Sequence, residues 1–304
     1  MLNDFMNFAY SINLTEAMER YNENEFYFPD GKYLENGNLK YHYLSMEDSK
    51  KPPLIFLHGI MINSNIWHSY MKEFSPFFSV YALDFLGHGL SSKKKDLNLM
   101  DLVEEVNVFI EKLNLKNPII IGHSLGGMIG GILASLYPEK LSKLIMLSSI
   151  DYDHFINDAG TQIGNQFLDM MFPFINPMTV SFLLNTVMKK VYNGKVNFMQ
   201  DNKLDILLYH IKINGFQQSI FSLMKNHFYK GFSSESYSQI RCQVLLLHGE
   251  KDRLVASSHS EKLAAQIPHA QLELIKNGSH MLIEEQESQV KEFLHDFLAL
   301  NKPK

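Results

Sequence analysis

Three stretches of the chain carry residue types that together could perform nucleophilic acyl transfer. Ser124 stands in Gly122-His123-Ser124-Leu125-Gly126-Gly127, Asp252 in His248-Gly249-Glu250-Lys251-Asp252, and His280 in Gly278-Ser279-His280. A serine hydroxyl becomes a useful nucleophile when an imidazole takes its proton, and a carboxylate can fix the tautomer of that imidazole and stabilise its charged form. A histidine on a short loop can serve the nucleophile first and the leaving group afterwards. The β-branched run at 119–121 reads as a buried strand and the apolar run at 128–137 as a helix, so Gly-x-Ser-x-Gly between them reads as a tight bend, a nucleophile elbow. Small residues at 122 and 126 let the neighbouring backbone come close, and the unpaired N–H groups of the helix start face the serine. Taken by itself the pentapeptide leaves open a glycine-rich turn with an ordinary serine. For the acid, Glu250 is a local rival of Asp252, Asp151 and Asp153 offer a carboxylate from another strand, and a salt bridge from Asp252 to Lys251 or Arg253 is the plainer reading.

Two further strand ends hold polar or glycine-rich sequence. In His58-Gly59-Ile60-Met61, Gly59 permits a sharp turn, so the backbone N–H of Ile60, with that of Leu125, could form a two-donor oxyanion hole. His58 reads as the residue that holds this loop by hydrogen bonds rather than as a catalytic group. In the stretch from Asp84 to Ser91, glycines flank His88, and Asp84 and His88 read as structural braces of a loop.

The positioning elements follow from hydrophobic patterning. Short apolar runs at 54–57, 80–83, 119–121, 144–147, 244–247 and 272–275 alternate with helical periods, the pattern of a mostly parallel sheet covered on both faces, whose ligands bind beyond the carboxyl ends of the strands. Residues 32–44 alternate around Asn36 and Gly37 and predict a hairpin on the antiparallel edge of the sheet. A helix follows from Leu99, Leu102, Val103, Val106, Phe109, Ile110 and Leu113, with Glu104, Glu105 and Glu111 on its other faces. Glu284, Glu285 and Glu287 begin a last amphipathic helix that buries Val290, Phe293, Leu294, Phe297 and Leu298.

Composition narrows the function classes. The 304 residues exceed the usual single-domain length, and α/β folds of this size keep one core and carry an insertion. A formal charge of −5 with no basic cluster on a helix face argues against nucleic-acid binding. With Cys242 as the single cysteine there is no intramolecular disulfide and no thiolate metal site; a reducing cytoplasm is the expected location. Residues 1–10 lack a basic n-region and a continuous apolar core, so no signal peptide is expected.

The chain order of serine, acid and histidine is that of the α/β-hydrolases, and not of the chymotrypsin or subtilisin classes. The sequence resembles that superfamily at Leu57-His58-Gly59, at Asp84 with Gly87-His88-Gly89, and at the three stretches that hold Ser124, Asp252 and His280, over roughly residue 32 to the C-terminus. The resemblance implies an α/β-hydrolase fold with an inserted helical cap and a cofactor-independent, metal-free serine hydrolase of the esterase, lipase or lactonase kind. It also implies a catalytic triad of Ser124, Asp252 and His280. Serine rather than aspartate at 124 argues against haloalkane dehalogenases and epoxide hydrolases, whose similar members attack through a carboxylate. Thioester hydrolysis, carbon–carbon bond hydrolysis and a perhydrolase side activity share the same triad.

The expected organisation is a helical arm at 1–31, a core at 32–149 and 241–304, and a cap at 150–240, where strand–helix alternation gives way to methionine- and phenylalanine-rich sequence. Pro173, Pro177 and several polar residues interrupt the apolar run there, so no integral membrane span is expected. Met171 and Phe172 are candidates to line an acyl pocket, because flexible side chains suit variable chains, against packing of the cap on the body as the plainer reading; Trp67 is a candidate to wall the same pocket, against core packing. The expected partner is a small-molecule ester or lactone. A reading from another class is a small-molecule receptor on a hydrolase scaffold that turns over slowly or not at all.

Overall fold

The computed structural model describes residues 31–153, 191–192, 213–225 and 232–300. The expected N-terminal arm, most of the expected cap, and with it Met171 and Phe172, lie outside the described residues. Eight strands form one sheet in the order β1-β2-β4-β3-β5-β6-β7-β8. They are β1 (Lys32–Asn36), β2 (Leu39–Met46), β3 (Pro53–Leu57), β4 (Ser79–Leu83), β5 (Ile119–His123), β6 (Lys143–Leu147), β7 (Gln243–Gly249) and β8 (Gln271–Ile275). Every apolar run expected to be a strand is one.

The β1–β2 hairpin closes with Asn36 opposite Leu39, and Gly37 supplies the turn with φ 60°. The hairpin joins the sheet through antiparallel pairing of β2 with β4; all other neighbours are parallel. Connections run outward from β3 to β4 on one side, then cross to β5 and continue to β8 on the other. The direction of travel therefore reverses between β3 and β5, the place where open α/β sheets leave a crevice beyond the strand ends.

Period-two alternation divides the core. Ile55, Leu57, Ile120, Leu144, Met146, Val244 and Leu246 face one side, against α2 (Leu99–Lys112), α3 (Leu125–Leu136) and α5 (Ser258–Gln266). Leu54, Phe56, Ile119, Ile121, Ile145, Leu147, Leu245 and Leu247 face the other, against α1 (His68–Phe74) and α7 (Glu287–Phe297). α2 starts with a reciprocal cap: the Asn98 side chain accepts from the Asp101 N–H at 3.1 Å, and Asp101 accepts from the Asn98 N–H at 2.9 Å. Within the part of the expected insertion that is described, α4 (Phe216–Lys225) packs beside the loop after β4, where the Phe216 and His88 rings lie 6.3 Å apart.

Three expectations need correction. Glu105, assigned to a polar face of α2, is fully buried; its Oε2 accepts the Leu86 N–H at 2.8 Å, and burial pushes its pKa well above its ordinary value. Trp67 is fully buried in the core, stacked on Phe56 at 5.1 Å and edge-on to Tyr70 at 5.4 Å, and does not wall a pocket. The last helix begins with a separate turn, α6 (Leu282–Glu285), and Gln286 with φ −131° breaks it from α7. Val290 and Leu294 are fully buried as expected, whereas Phe293 and Phe297 are only partly covered.

Candidate active site

Ser124 lies between β5 and α3 with φ 52° and ψ −114°, a positive-φ conformation that a residue with a Cβ adopts only when its surroundings enforce it. The enforcement is steric and hydrogen-bonded. The Ser124 N–H donates to the Leu147 carbonyl at 2.8 Å. A Cβ on Gly122 would collide with the Gly126 backbone, and one on Gly126 with the Leu57 carbonyl. The bend is thus pressed onto the end of β3, which explains the glycines at both positions. Ser124 is nearly buried, and its Oγ makes no hydrogen bond among the described residues; such contacts commonly tighten when a substrate is bound.

The loop after β3 reaches the serine directly. A Cβ on Gly59 would lie 3.4 Å from the Ser124 Cβ and 3.0 Å from His123 Nδ1. His58 shapes that loop: its Nδ1–H donates to the Gly59 carbonyl at 2.7 Å, and its Nε2 accepts the Phe85 N–H at 3.0 Å. The half-buried Ile60 follows, then Met61 with φ 63°. Leu125 opens α3, where its N–H has no carbonyl one turn back.

Asp252 and His280 meet. The His280 Nδ1–H donates to Asp252 Oδ2 at 2.8 Å, with both side chains almost wholly buried. The other oxygen of Asp252 accepts the N–H groups of Leu254 at 2.9 Å and Val255 at 2.8 Å. His248 stands behind: its Nε2 lies 2.9 Å from the Val255 carbonyl and 3.2 Å from Asp252 Oδ2, and its Nδ1 lies 2.7 Å from Ser260 Oγ. Burial by itself would raise the Asp252 pKa; hydrogen bonds from His248 and His280, the His280 charge and the Val255 N–H outweigh it and hold the carboxyl well below its usual range. An anion fixed in this way keeps its partner imidazole with the proton on Nδ1 and the lone pair on Nε2.

The rival acids are placed elsewhere. Asp151 Oδ2 pairs with His259 Nδ1 at 2.7 Å, and Glu250 is exposed. Asp84 braces the loops around the site: Oδ1 accepts the Ser64 N–H at 2.7 Å, and Oδ2 accepts the Leu90 N–H at 2.9 Å and pairs with His42 Nδ1 at 2.7 Å. Lys93 holds the same loop from the other side by donating to the carbonyls of His88, Gly89 and Ser91 at 3.0, 2.9 and 2.5 Å.

Two histidines beside the site carry more than their motifs suggested. His248 braces the acid, and His123 Nε2–H donates to the His280 carbonyl at 2.9 Å. The sequence signal was available: a polar ring that ends buried β5, or stands one residue before the end of β7, must find a partner.

Burial lowers the pKa of His58, lowers that of His88 well below the usual value, and takes His123 down to about 3. All three are therefore neutral in the folded protein while their unfolded counterparts protonate near about pH 6.5. Folding stability is complete above that value and is lost as pH falls through it toward the folded-state pKa values. The thermal midpoint is expected to start falling near about pH 6.5, ahead of the carboxylate range. A midpoint that stays flat down to about pH 5 in calorimetry would contradict this.

Among the described residues, no helix is long and apolar enough to cross a membrane. A family model described as alpha/beta hydrolase fold matches residues 52–287. Monoacylglycerol lipase ABHD6 of Homo sapiens is 24% identical over 260 residues, covering 82% of this chain and 76% of that protein. Epoxide hydrolase 4 of Mus musculus is 24% identical over 284 residues, covering 87% and 78%. A solved structure described as Est816, an N-acyl homoserine lactone degrading enzyme, superposes with a TM-score of 0.73 at 22% identity, covering 88% of this chain and all of that one. The sheet order, the bend that carries Ser124 and the family match over most of the chain agree: this protein belongs to the α/β hydrolase fold family and is a hydrolase.

Proposed function

We propose that the protein hydrolyses carboxylic esters with an apolar acyl group through an acyl-enzyme on Ser124. The observation that carries the reading is the 2.8 Å bond from His280 Nδ1 to an ionised, doubly braced Asp252, on a loop tied to the elbow of Ser124. In the proposed cycle, His280 Nε2 takes the Ser124 proton as Oγ attacks the ester carbonyl. The N–H groups of Ile60 and Leu125 receive the developing oxyanion, and Asp252 stabilises the imidazolium. His280 then protonates the leaving alcohol. Water, deprotonated by the same nitrogen, attacks the acyl-serine, and collapse of the second tetrahedral intermediate returns the proton to Oγ and releases the acid. Lactones and thioesters fit the same steps, as does a carbon–carbon bond beside a carbonyl. The serine at 124 supports this route over epoxide opening, despite the relatives that bear the epoxide hydrolase name.

A p-nitrophenyl phosphonate tests the reading. One equivalent of p-nitrophenolate is expected per chain, with the adduct on the peptide that contains Ser124, and p-nitrophenyl esters of increasing chain length are expected to turn over steadily. An adduct on another serine, or epoxide turnover without ester turnover, would sink the proposal. Labelling without any ester turnover would favour the receptor instead.

A further inference from the structure

His123 ends β5 immediately before the nucleophile and is 1% exposed. Its ring sits where three loops converge: its own bend, the loop after β3, and the loop that carries His280. The His280 carbonyl accepts the His123 Nε2–H at 2.9 Å, and the two imidazole rings are 5.0 Å apart. On its opposite side, Nδ1 is buried without a hydrogen-bond partner among the described residues and faces Gly59 closely enough that a Cβ there would lie 3.0 Å away. A carbonyl acceptor requires the donor, so the proton is on Nε2 and Nδ1 carries the lone pair.

We propose that His123 is a positioning residue: its Nε2–H fixes the main chain of His280 while Asp252 fixes the side chain. The inference rests on the reading of the site given above. Held at Nδ1 alone, the imidazole could still pivot about that bond and carry Nε2 away from Ser124. A second anchor on the carbonyl of the same residue removes that freedom. Because the anchor stands on the residue preceding Ser124, it sets base and nucleophile relative to one another rather than each to the sheet. Reacting groups displaced by about 1 Å can lose on the order of a hundredfold in rate, so loss of the anchor falls on the chemical step.

The test compares His123→Leu with His123→Gln in the full chain. A glutamine amide places an N–H near the position of Nε2, whereas leucine has no donor. His123→Leu is expected to lower kcat about 10- to 100-fold while KM stays within about twofold, and His123→Gln to return kcat to within about threefold of wild type. A merely structural role would move stability without this kcat-against-KM split and without rescue by glutamine. The inference is overturned if His123→Leu keeps wild-type kcat, if glutamine loses as much as leucine at an unchanged thermal midpoint, or if kcat in both variants falls only in step with the folded fraction. Full turnover by Ser124→Ala would instead remove the reading of the site, and this inference with it; a dead Ser124→Ala beside an unaffected His123→Leu would overturn the inference alone.

Discussion

Replacement of Ser124 by alanine is expected to lower ester turnover by at least roughly ten-thousandfold, with binding of the acyl chain left near its wild-type strength. Serine and histidine in such a site act as a unit, so Ser124→Ala/His280→Ala should be hardly slower than Ser124→Ala alone; independent, multiplying losses would show that the two do not share one proton. The same position makes an opposite prediction about stability. The residue is held at φ 52°, which alanine tolerates no better than serine and glycine tolerates freely. Ser124→Gly should therefore be as inactive as Ser124→Ala but more stable by about 1 kcal/mol in urea unfolding. Equal stability of the two variants would mean that the bend is not strained.

Asp84→Ala is expected to be the most damaging single change to stability outside the apolar core, by about 3–5 kcal/mol. The carboxylate is 2% exposed and serves three partners on three segments: His42 in β2, the Ser64 N–H beyond the oxyanion loop, and the Leu90 N–H in the loop after β4. Burial opposes its charge, yet the hydrogen bonds from His42 and the Leu90 N–H hold its pKa far below the ordinary carboxylate range. Removing it leaves the buried Ser64 N–H, the half-buried Leu90 N–H and one imidazole without an acceptor, a cost larger than the loss of one hydrogen bond. Asp84→Asn should recover part of the loss, because one oxygen can still accept while the amide nitrogen opposes a donor. A loss below about 1 kcal/mol for Asp84→Ala in urea unfolding would show that water or loop movement replaces the carboxylate. Ester turnover is expected to fall with it, since the Ser64 N–H lies just past the loop proposed to hold the oxyanion.

What the sequence displayed most plainly was hydrophobic period and turn chemistry. Runs such as 54–57 and 244–247 have no alternative to a buried strand in a chain with this helical spacing, and Gly37 and Gly126 stand where the structure demands a missing Cβ. Charge was harder to place. Glu105 looks like any glutamate on the polar side of a helix, but it is buried where the loop after β4 brings the Leu86 N–H to its carboxyl, a partner the helical pattern does not reveal. Trp67 failed for a related reason: proximity in sequence to the loop after β3 suggested the pocket, but the short 3-10 turn Ser64–Trp67 rotates the indole under the sheet onto Phe56. Four carboxylates, Asp252, Glu250, Asp151 and Asp153, stood beyond strand ends, and periodicity does not rank them. The pairing of Asp252 with His280 and of Asp151 with His259 depends on which strands are neighbours, and strand order is a property of the whole sheet.

That dependence has a consequence for how the molecule comes into being. β6 ends at Leu147 and its parallel neighbour β7 starts at Gln243, so the sheet is completed across a long excursion of chain. β7 must then receive β8 before the loops that bear Asp252 and His280 lie side by side. Loop-closure entropy makes such distant parallel pairings slow relative to local helices and hairpins. The β1–β2 hairpin and α2 can form early from nearby residues, while the Asp252–His280 bond waits for the last two strands. A nascent or refolding chain would thus carry native-like secondary structure for some time before it carries a competent base. The protein acquires its reactivity only when the architecture around the serine is complete.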